Sequence, residues 1–193
     1  MIKQLVFATN NANKVAEIKK VLGGSFAVIP LKDAGIDIDI PEPYDTLEQN
    51  AATKSITIFN LTGNDCFSED TGLFVDSLDG EPGVKSARYA GEPASGKANI
   101  EKLIANLNGH EDRKARFRTI ISLVLNGQEH QFEGVCEGVI LQEPAGEKGF
   151  GYDSVFKPEG SEKSFAQMET DEKNVFSHRK KAMAKLIAFL SSK

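Results

Sequence analysis

The chain opens on Ile2, Leu5, Val6, Phe7 and Ala8, an apolar, β-prone run that turns polar at Thr9. The run is too short for a membrane span or a signal segment and predicts a first strand. The next residues, Thr9-Asn10-Asn11-Ala12-Asn13-Lys14, are polar and carry side chains that can cap a helix. Val15, Ile18, Val21 and Leu22 then recur at helical spacing, which predicts a helix over 14–22 stopped by Gly23-Gly24. Residues 26–31 read as a second strand.

Residues 33–45 set Gly35, Pro41 and Pro43 among alternating Ile and Asp, the pattern of an irregular acidic connection. A helix is expected over 46–61, and residues 65–68 and 73–75 read as strand pieces flanking an acidic turn, Glu69-Asp70-Thr71-Gly72. Another helix is expected over 98–107. The β-prone runs 117–125 and 131–141 meet across Asn126-Gly127, the strongest short hairpin signal in the chain, and should pair antiparallel. Beyond the glycine-rich Gly146-Glu147-Lys148-Gly149-Phe150-Gly151 comes a helical tail over 170–190. Strands alternating with helices, plus one hairpin, predict an α/β fold with a mixed sheet. With 193 residues and no repeat, low-complexity tract or linker, one domain over 1–193 is expected.

Charge narrows the partners. The chain has 28 acidic and 23 basic side chains, a net charge of -5, which repels polyanions unless basic residues are concentrated locally. Neither nucleic acid nor membrane is an expected partner, whereas a small anion in a local basic pocket is compatible. The one basic cluster with an aromatic inside it is Arg113-Lys114-Ala115-Arg116-Phe117-Arg118; alternate strand positions put its charges largely on one solvated face. Cys66 and Cys136 belong to no CxxC pair, so neither a zinc site nor a disulfide framework is indicated and a reducing compartment, the cytoplasm, fits.

Common catalytic signatures are absent: there is no GxxxxGK[ST], no GxGxxG after a strand, no HExxH and no GxSxG. What remains are polar residues where predicted strands give way to loops, the usual place for ligand sites in α/β proteins. Thr9 to Lys14 combines a hydroxyl, amides, backbone N–H groups and a lysine at a helix start, which reads either as a phosphate cradle or as an asparagine-rich cap. Glu69-Asp70, with Glu42 in the preceding acidic loop, suits magnesium and could activate a water; solvated turn acids are the alternative. Phe150-Gly151-Tyr152-Asp153 offers a close backbone approach and aromatic faces for a flat ring, against core packing of both aromatics. Lys173 with Ser177-His178-Arg179 supplies donors on an otherwise apolar helical stretch, and Lys54 is a lysine within the helix over 46–61.

Taken in order, six short segments resemble the inosine triphosphate pyrophosphatase family, the non-canonical purine NTP pyrophosphatases. They are Thr9-x-Asn11-x-x-Lys14; Glu48-Gln49-Asn50-Ala51 with Lys54; Ser68-Glu69-Asp70-Thr71-Gly72-Leu73; Ser86-Ala87-Arg88-Tyr89-Ala90-Gly91; Phe150-Gly151-Tyr152-Asp153; and Lys173 with Ser177-His178-Arg179. The resemblance implies a long mixed sheet flanked by helices with two lobes around a central cleft, a homodimer, and hydrolysis of ITP, dITP or XTP to the monophosphate and pyrophosphate. It implies that Thr9, Asn10, Asn11, Ala12, Asn13 and Lys14 line the triphosphate site with Lys54 nearby. Asp70 would be general base and Mg²⁺ ligand beside Glu42, and Thr71 would contact substrate. Phe150, Gly151, Tyr152, Asp153, Lys173, His178 and Arg179 would form the purine pocket. Asn10 stands where glycine is frequent in the family, and Pro43-Tyr44 follows Glu42 in place of Thr-Gly. Two rival readings are a Maf-like pyrophosphatase for modified nucleotides and a non-catalytic nucleotide- or nucleic-acid-binding protein.

Overall fold

The computed structural model describes residues 3–22 and 26–192, so Ile2 and the Gly23-Gly24 helix stop lie outside the described residues. The strands are β1 (Lys3–Phe7), β2 (Phe26–Pro30), β3 (Cys66–Val75), β4 (Pro82–Gly83), β5 (Lys114–Leu125), β6 (Gln128–Ile140) and β7 (Phe156–Pro158). The helices are α1 (Ala12–Leu22), α2 (Leu47–Thr62), α3 (Gly96–Asn106), α4 (Thr170–Phe176) and α5 (His178–Ser191). The strands form a mixed sheet in the order β2-β1-β3-β5-β6-β7, with β4 on β3. β1 pairs parallel with β2 and β3, whereas β3–β4 and β6–β7 are antiparallel. The expected α/β class with a mixed sheet flanked by helices is the one observed. No helix among the described residues is long and apolar enough to cross a membrane.

The chain divides into two compact units, Met1–Asp70 with Thr119–Gly134 and Arg179–Lys193, and Thr71–Arg118 with Val135–His178. In the first, β1 is buried on both faces, which is why its sequence is a continuous apolar run and not an alternating one. Leu5 and Phe7 point to one side and pack with Ile18 of α1, Phe67, Ile121 and Met183 of α5. Val6 and Ala8 point to the other and pack with Ile58 of α2, Cys66 and Val124. Phe7 and Phe67 stack with centroids 4.5 Å apart. Thr46 caps α2 by accepting from the Gln49 N–H, and Gly63, left-handed at φ 67°, closes it. The second unit is built around Leu73, Tyr89, Leu103, Phe117, Tyr152 and Phe165.

Two expectations are corrected. Glu69-Asp70-Thr71-Gly72 is not a turn, because β3 runs unbroken from Cys66 to Val75 with both carboxylates buried. The sequence pattern misleads there because acids are rare inside strands unless cations neutralise them, and the cations come from distant segments. The helical tail is also two helices, broken at Ser177 (φ -53°, ψ 121°), whose N–H closes α4 on the Lys173 carbonyl. No glycine or proline marks the break; Phe176 packs in the second unit's core while Met183 and Leu186 pack in the first unit's.

The hairpin is as expected: β5 and β6 are sheet neighbours joined by Asn126 and Gly127, at φ 51° and 78°, the signs a type I′ turn requires. A Cβ at Gly127 would strain that conformation, so Gly127→Ala should lower unfolding free energy by about 1 kcal/mol, read as a shift of the urea midpoint at constant m-value. The basic run is internally partnered. Arg113 donates to the carbonyls of Ile140, Leu107 and Leu141, Arg116 pairs with Asp76 and Glu137, and Arg118 lies over the Phe74 ring.

Candidate active site

Adjacent residues of a strand face opposite sides, so β3 sends the Glu69 and Asp70 side chains to different partners. On the Asp70 side, α2 delivers Lys54, only 8% exposed. Its ammonium has three N–H groups and three acceptors within reach: Asp70 Oδ1 at 3.2 Å, the Glu69 main-chain carbonyl at 2.9 Å, and Glu42 Oε1. Glu42 comes from the irregular connection before α2. Lys54 therefore bridges two carboxylates that would otherwise repel.

Burial pushes the Asp70 carboxyl above the ordinary carboxylate range; Lys54 and Lys14 oppose that and Glu42 adds to it. Burial pulls the Lys54 ammonium down, but Asp70 and Glu42 more than offset it, and it is held charged. An acid made more basic beside a fixed cation is the arrangement a general base needs.

On the Glu69 side, the carboxylate is fully enclosed and takes a two-pronged contact from Arg179, Nε to Oε2 and Nη2 to Oε1, each at 2.7 Å. Lys14 Nζ stands 3.3 Å from Oε1, and Arg179 Nη1 donates to Glu17. Burial lowers the Lys14 pKa, with Glu69 as the main opposing influence.

The segment before α1 is tied by its own side chains. Thr9 Oγ1 accepts from the Asn11 N–H, and Asn11 Oδ1 accepts from the N–H groups of Asn13 and Lys14, capping the helix. Asn10 Nδ2 donates to the Ile38 carbonyl at 3.5 Å. The cap reading is thus realised in the geometry, with Asn10, Asn11, Ala12 and Asn13 exposed and Lys14 half-buried at the helix start.

The second unit gathers the other set. Asp153 Oδ2 accepts from the Phe150 N–H at 3.0 Å and from Lys173 Nζ at 2.7 Å. The Lys173 ammonium lies 5.5 Å from the Phe150 ring centre and 5.3 Å from that of Phe165. Gly151 is exposed and left-handed at φ 61°, and Phe150 is half-buried. Tyr152 takes the core-packing alternative: its ring is buried and its hydroxyl donates to the Ser86 carbonyl at 2.9 Å. His178 is buried and stacks on Phe117 with centroids 4.7 Å apart. Thr71 sits half-buried in β3.

At Gly149, with φ 77°, an added Cβ would fall 2.0 Å from Asp153 Oδ2. Gly149→Ala should therefore displace Asp153 from both Phe150 and Lys173 and lower the unfolding free energy by about 1.5–3 kcal/mol, the value of a lost charge-assisted contact. Urea unfolding would read it as a lower midpoint.

The Ham1 family profile matches residues 5–189. A dITP/XTP pyrophosphatase of Christiangramia forsetii is 50% identical over 188 residues, covering 97% of this chain and 99% of the relative.

The chain belongs to the Ham1 family.

Among solved Ham1 structures, the Staphylococcus aureus protein superposes with a TM-score of 0.90 at 38% identity, covering 98% of this chain and 99% of that one. A Coxiella burnetii HAM1 protein gives 0.91 at 33% identity, with complete coverage of both chains. The family resemblance carried by the six segments is thus borne out. Of the residues singled out in the sequence, the geometry brings Glu42, Lys54 and Asp70 into one ion-paired set, Lys14, Glu69 and Arg179 into a second, and Phe150, Asp153 and Lys173 into a third. Arg179, which the resemblance places in the purine pocket, directs Nε, Nη1 and Nη2 to the carboxylates of Glu69 and Glu17. Glu17 and Gly149 were missed. Glu17 sits three residues after Lys14 on α1, a spacing that puts both on one helix face and could have flagged it.

Proposed function

We propose that this Ham1 chain is a cytoplasmic, homodimeric, Mg²⁺-dependent nucleoside triphosphate pyrophosphatase that hydrolyses dITP, XTP and ITP to the monophosphate and pyrophosphate. The substrate class comes from the relatives named dITP/XTP pyrophosphatase. The observation that carries the chemistry is the buried Lys54 ammonium bridging Glu42 and Asp70, with Lys14 on the neighbouring side of β3.

The donor set fits magnesium. Among the described residues no cluster of three or more His, Cys, Asp or Glu could hold a metal. Mg²⁺ needs only one or two protein carboxylates, keeping waters and substrate phosphates in its other positions. Glu42 and Asp70 already hold a monovalent cation between them, and they are the residues that would hold the metal. When bound, Mg²⁺ supplies charge neutralisation on the phosphates.

Asp70, made more basic by burial, orients and deprotonates the water that attacks the α-phosphorus. Lys14 and Lys54 neutralise charge that grows on the phosphate oxygens and on the departing pyrophosphate. Thr9, the exposed residues Asn10 to Asn13 and the Lys14 ammonium receive the triphosphate at the positive end of α1. Thr71 contacts the substrate, and the Phe150 to Asp153 segment, Lys173 and His178 recognise the base. A 6-keto purine accepts from donors there, whereas adenine presents an amino group that leaves them unpaired, at about 1–3 kcal/mol each.

The test is pyrophosphate release from dITP, XTP, ITP, dATP, dGTP and dUTP, with and without EDTA. Magnesium-dependent turnover of the first three, at least about tenfold faster than the rest, supports the reading. Turnover of dUTP equal to that of dITP favours a Maf-like activity instead. Replacing Arg113 and Arg116 by alanine should leave turnover within a few-fold. A nucleic-acid module would instead lose its binding with those two residues.

A further inference from the structure

Glu69 is the residue next to the proposed base, and two adjacent carboxylates invite the reading of both as metal ligands. We infer that Glu69 is instead a positioning residue, which fixes the Lys14 ammonium at the phosphate end of the site by holding it against the Arg179 guanidinium. The inference rests on the reading of Lys14 as a triphosphate ligand.

The geometry separates the two acids. Successive strand residues diverge, so Asp70 shares Lys54 with Glu42, while the Glu69 carboxylate faces Arg179 and Lys14. Oε2 receives Arg179 Nε at 2.7 Å, and Oε1 is shared between Arg179 Nη2 at 2.7 Å and Lys14 Nζ at 3.3 Å. Its side chain is fully enclosed. A carboxylate forked by an arginine on both oxygens is held in plane and in register, and what it holds in turn is the lysine.

Charge balance supports the same assignment. Lys14 and Arg179 are two cations, Glu17 and Glu69 two anions, and each Arg179 contact is to one of the two acids. The set comes from three elements: α1 supplies Lys14 and Glu17, β3 supplies Glu69 and α5 supplies Arg179. Without the Glu69 charge, Lys14 would lose the carboxylate it shares with Arg179 and face that guanidinium's positive charge, and it would swing toward solvent.

The test measures KM and kcat for dITP, and the Mg²⁺ concentration giving half-maximal rate, in wild type, Glu69→Gln, Lys14→Gln and the double variant. Glu69→Gln should raise KM at least tenfold while the Mg²⁺ midpoint stays within twofold of wild type. The double variant should be no more than twofold worse than Lys14→Gln, because Glu69 has nothing left to position. A tenfold shift in the Mg²⁺ midpoint at unchanged KM would make Glu69 a metal ligand and overturn the inference, as would fully additive effects. If Glu69→Gln does not fold, Arg179→Lys retains the charge but loses the fork; wild-type KM in that variant would overturn the inference equally. Wild-type protein that releases no pyrophosphate from dITP would instead refute the proposed activity itself, before any variant is compared.

Discussion

Asp70→Asn should slow pyrophosphate release from dITP by about 10²–10⁴-fold, the usual worth of a positioned general base, while dITP still binds. Asparagine keeps the shape and one acceptor oxygen for Lys54 but cannot take a proton from water. Binding survives because the phosphate contacts proposed for Thr9, Lys14 and Lys54, and the base contacts proposed for Phe150, Asp153 and Lys173, are untouched. Rapid-quench turnover and equilibrium titration with dITP separate the two effects. An Asp70→Asn protein that turns over within tenfold of wild type would remove Asp70 from the role of base.

Lys54→Met should be the most damaging change to the first unit. Methionine replaces the aliphatic stem but leaves Glu42 and Asp70 facing each other and the Glu69 carbonyl without its donor. Removing one partner from a buried ion pair costs about 3–5 kcal/mol, and the lower end applies because the Glu42 side chain is 32% exposed. Activity should fall by about 10²-fold or more, the worth of one donor aimed at developing charge. The same variant carries a diagnostic of the proposed metal site. With the ammonium gone, a divalent cation between Glu42 and Asp70 meets no competitor, so added Mg²⁺ should raise the melting temperature of Lys54→Met more than that of wild type. An equal or smaller rise would place the metal elsewhere.

The sequence was most legible where local physics and tertiary packing agree. The β1 run, the α1 periodicity and the Asn126-Gly127 turn each follow from a short window, and each is found where expected. It was least legible where the deciding partner is far along the chain. Glu69 and Asp70 look like turn acids until Lys14, Lys54 and Arg179 arrive from 55, 16 and 110 positions away, and only then does a buried strand become the stable state. The break at Ser177 was hidden for a related reason. The spacing of Phe176, Met183 and Leu186 suits one continuous helix, although the first packs in one core and the other two in another. At the site, residue types singled out charged groups that the fold pairs with one another but could not say which atoms they serve. The resemblance places Arg179 and Tyr152 in the purine pocket, and no short window shows that the Arg179 guanidinium also pairs with two carboxylates or that the Tyr152 ring is buried with its hydroxyl on Ser86.

Isotope tracing of the hydrolysis reports most directly on the proposed chemistry. A single turnover of dITP in ¹⁸O-water with Mg²⁺ should put the label in the nucleoside monophosphate and none in pyrophosphate, as attack at the α-phosphorus demands. Label in pyrophosphate, or release of inorganic phosphate in its place, would contradict the account.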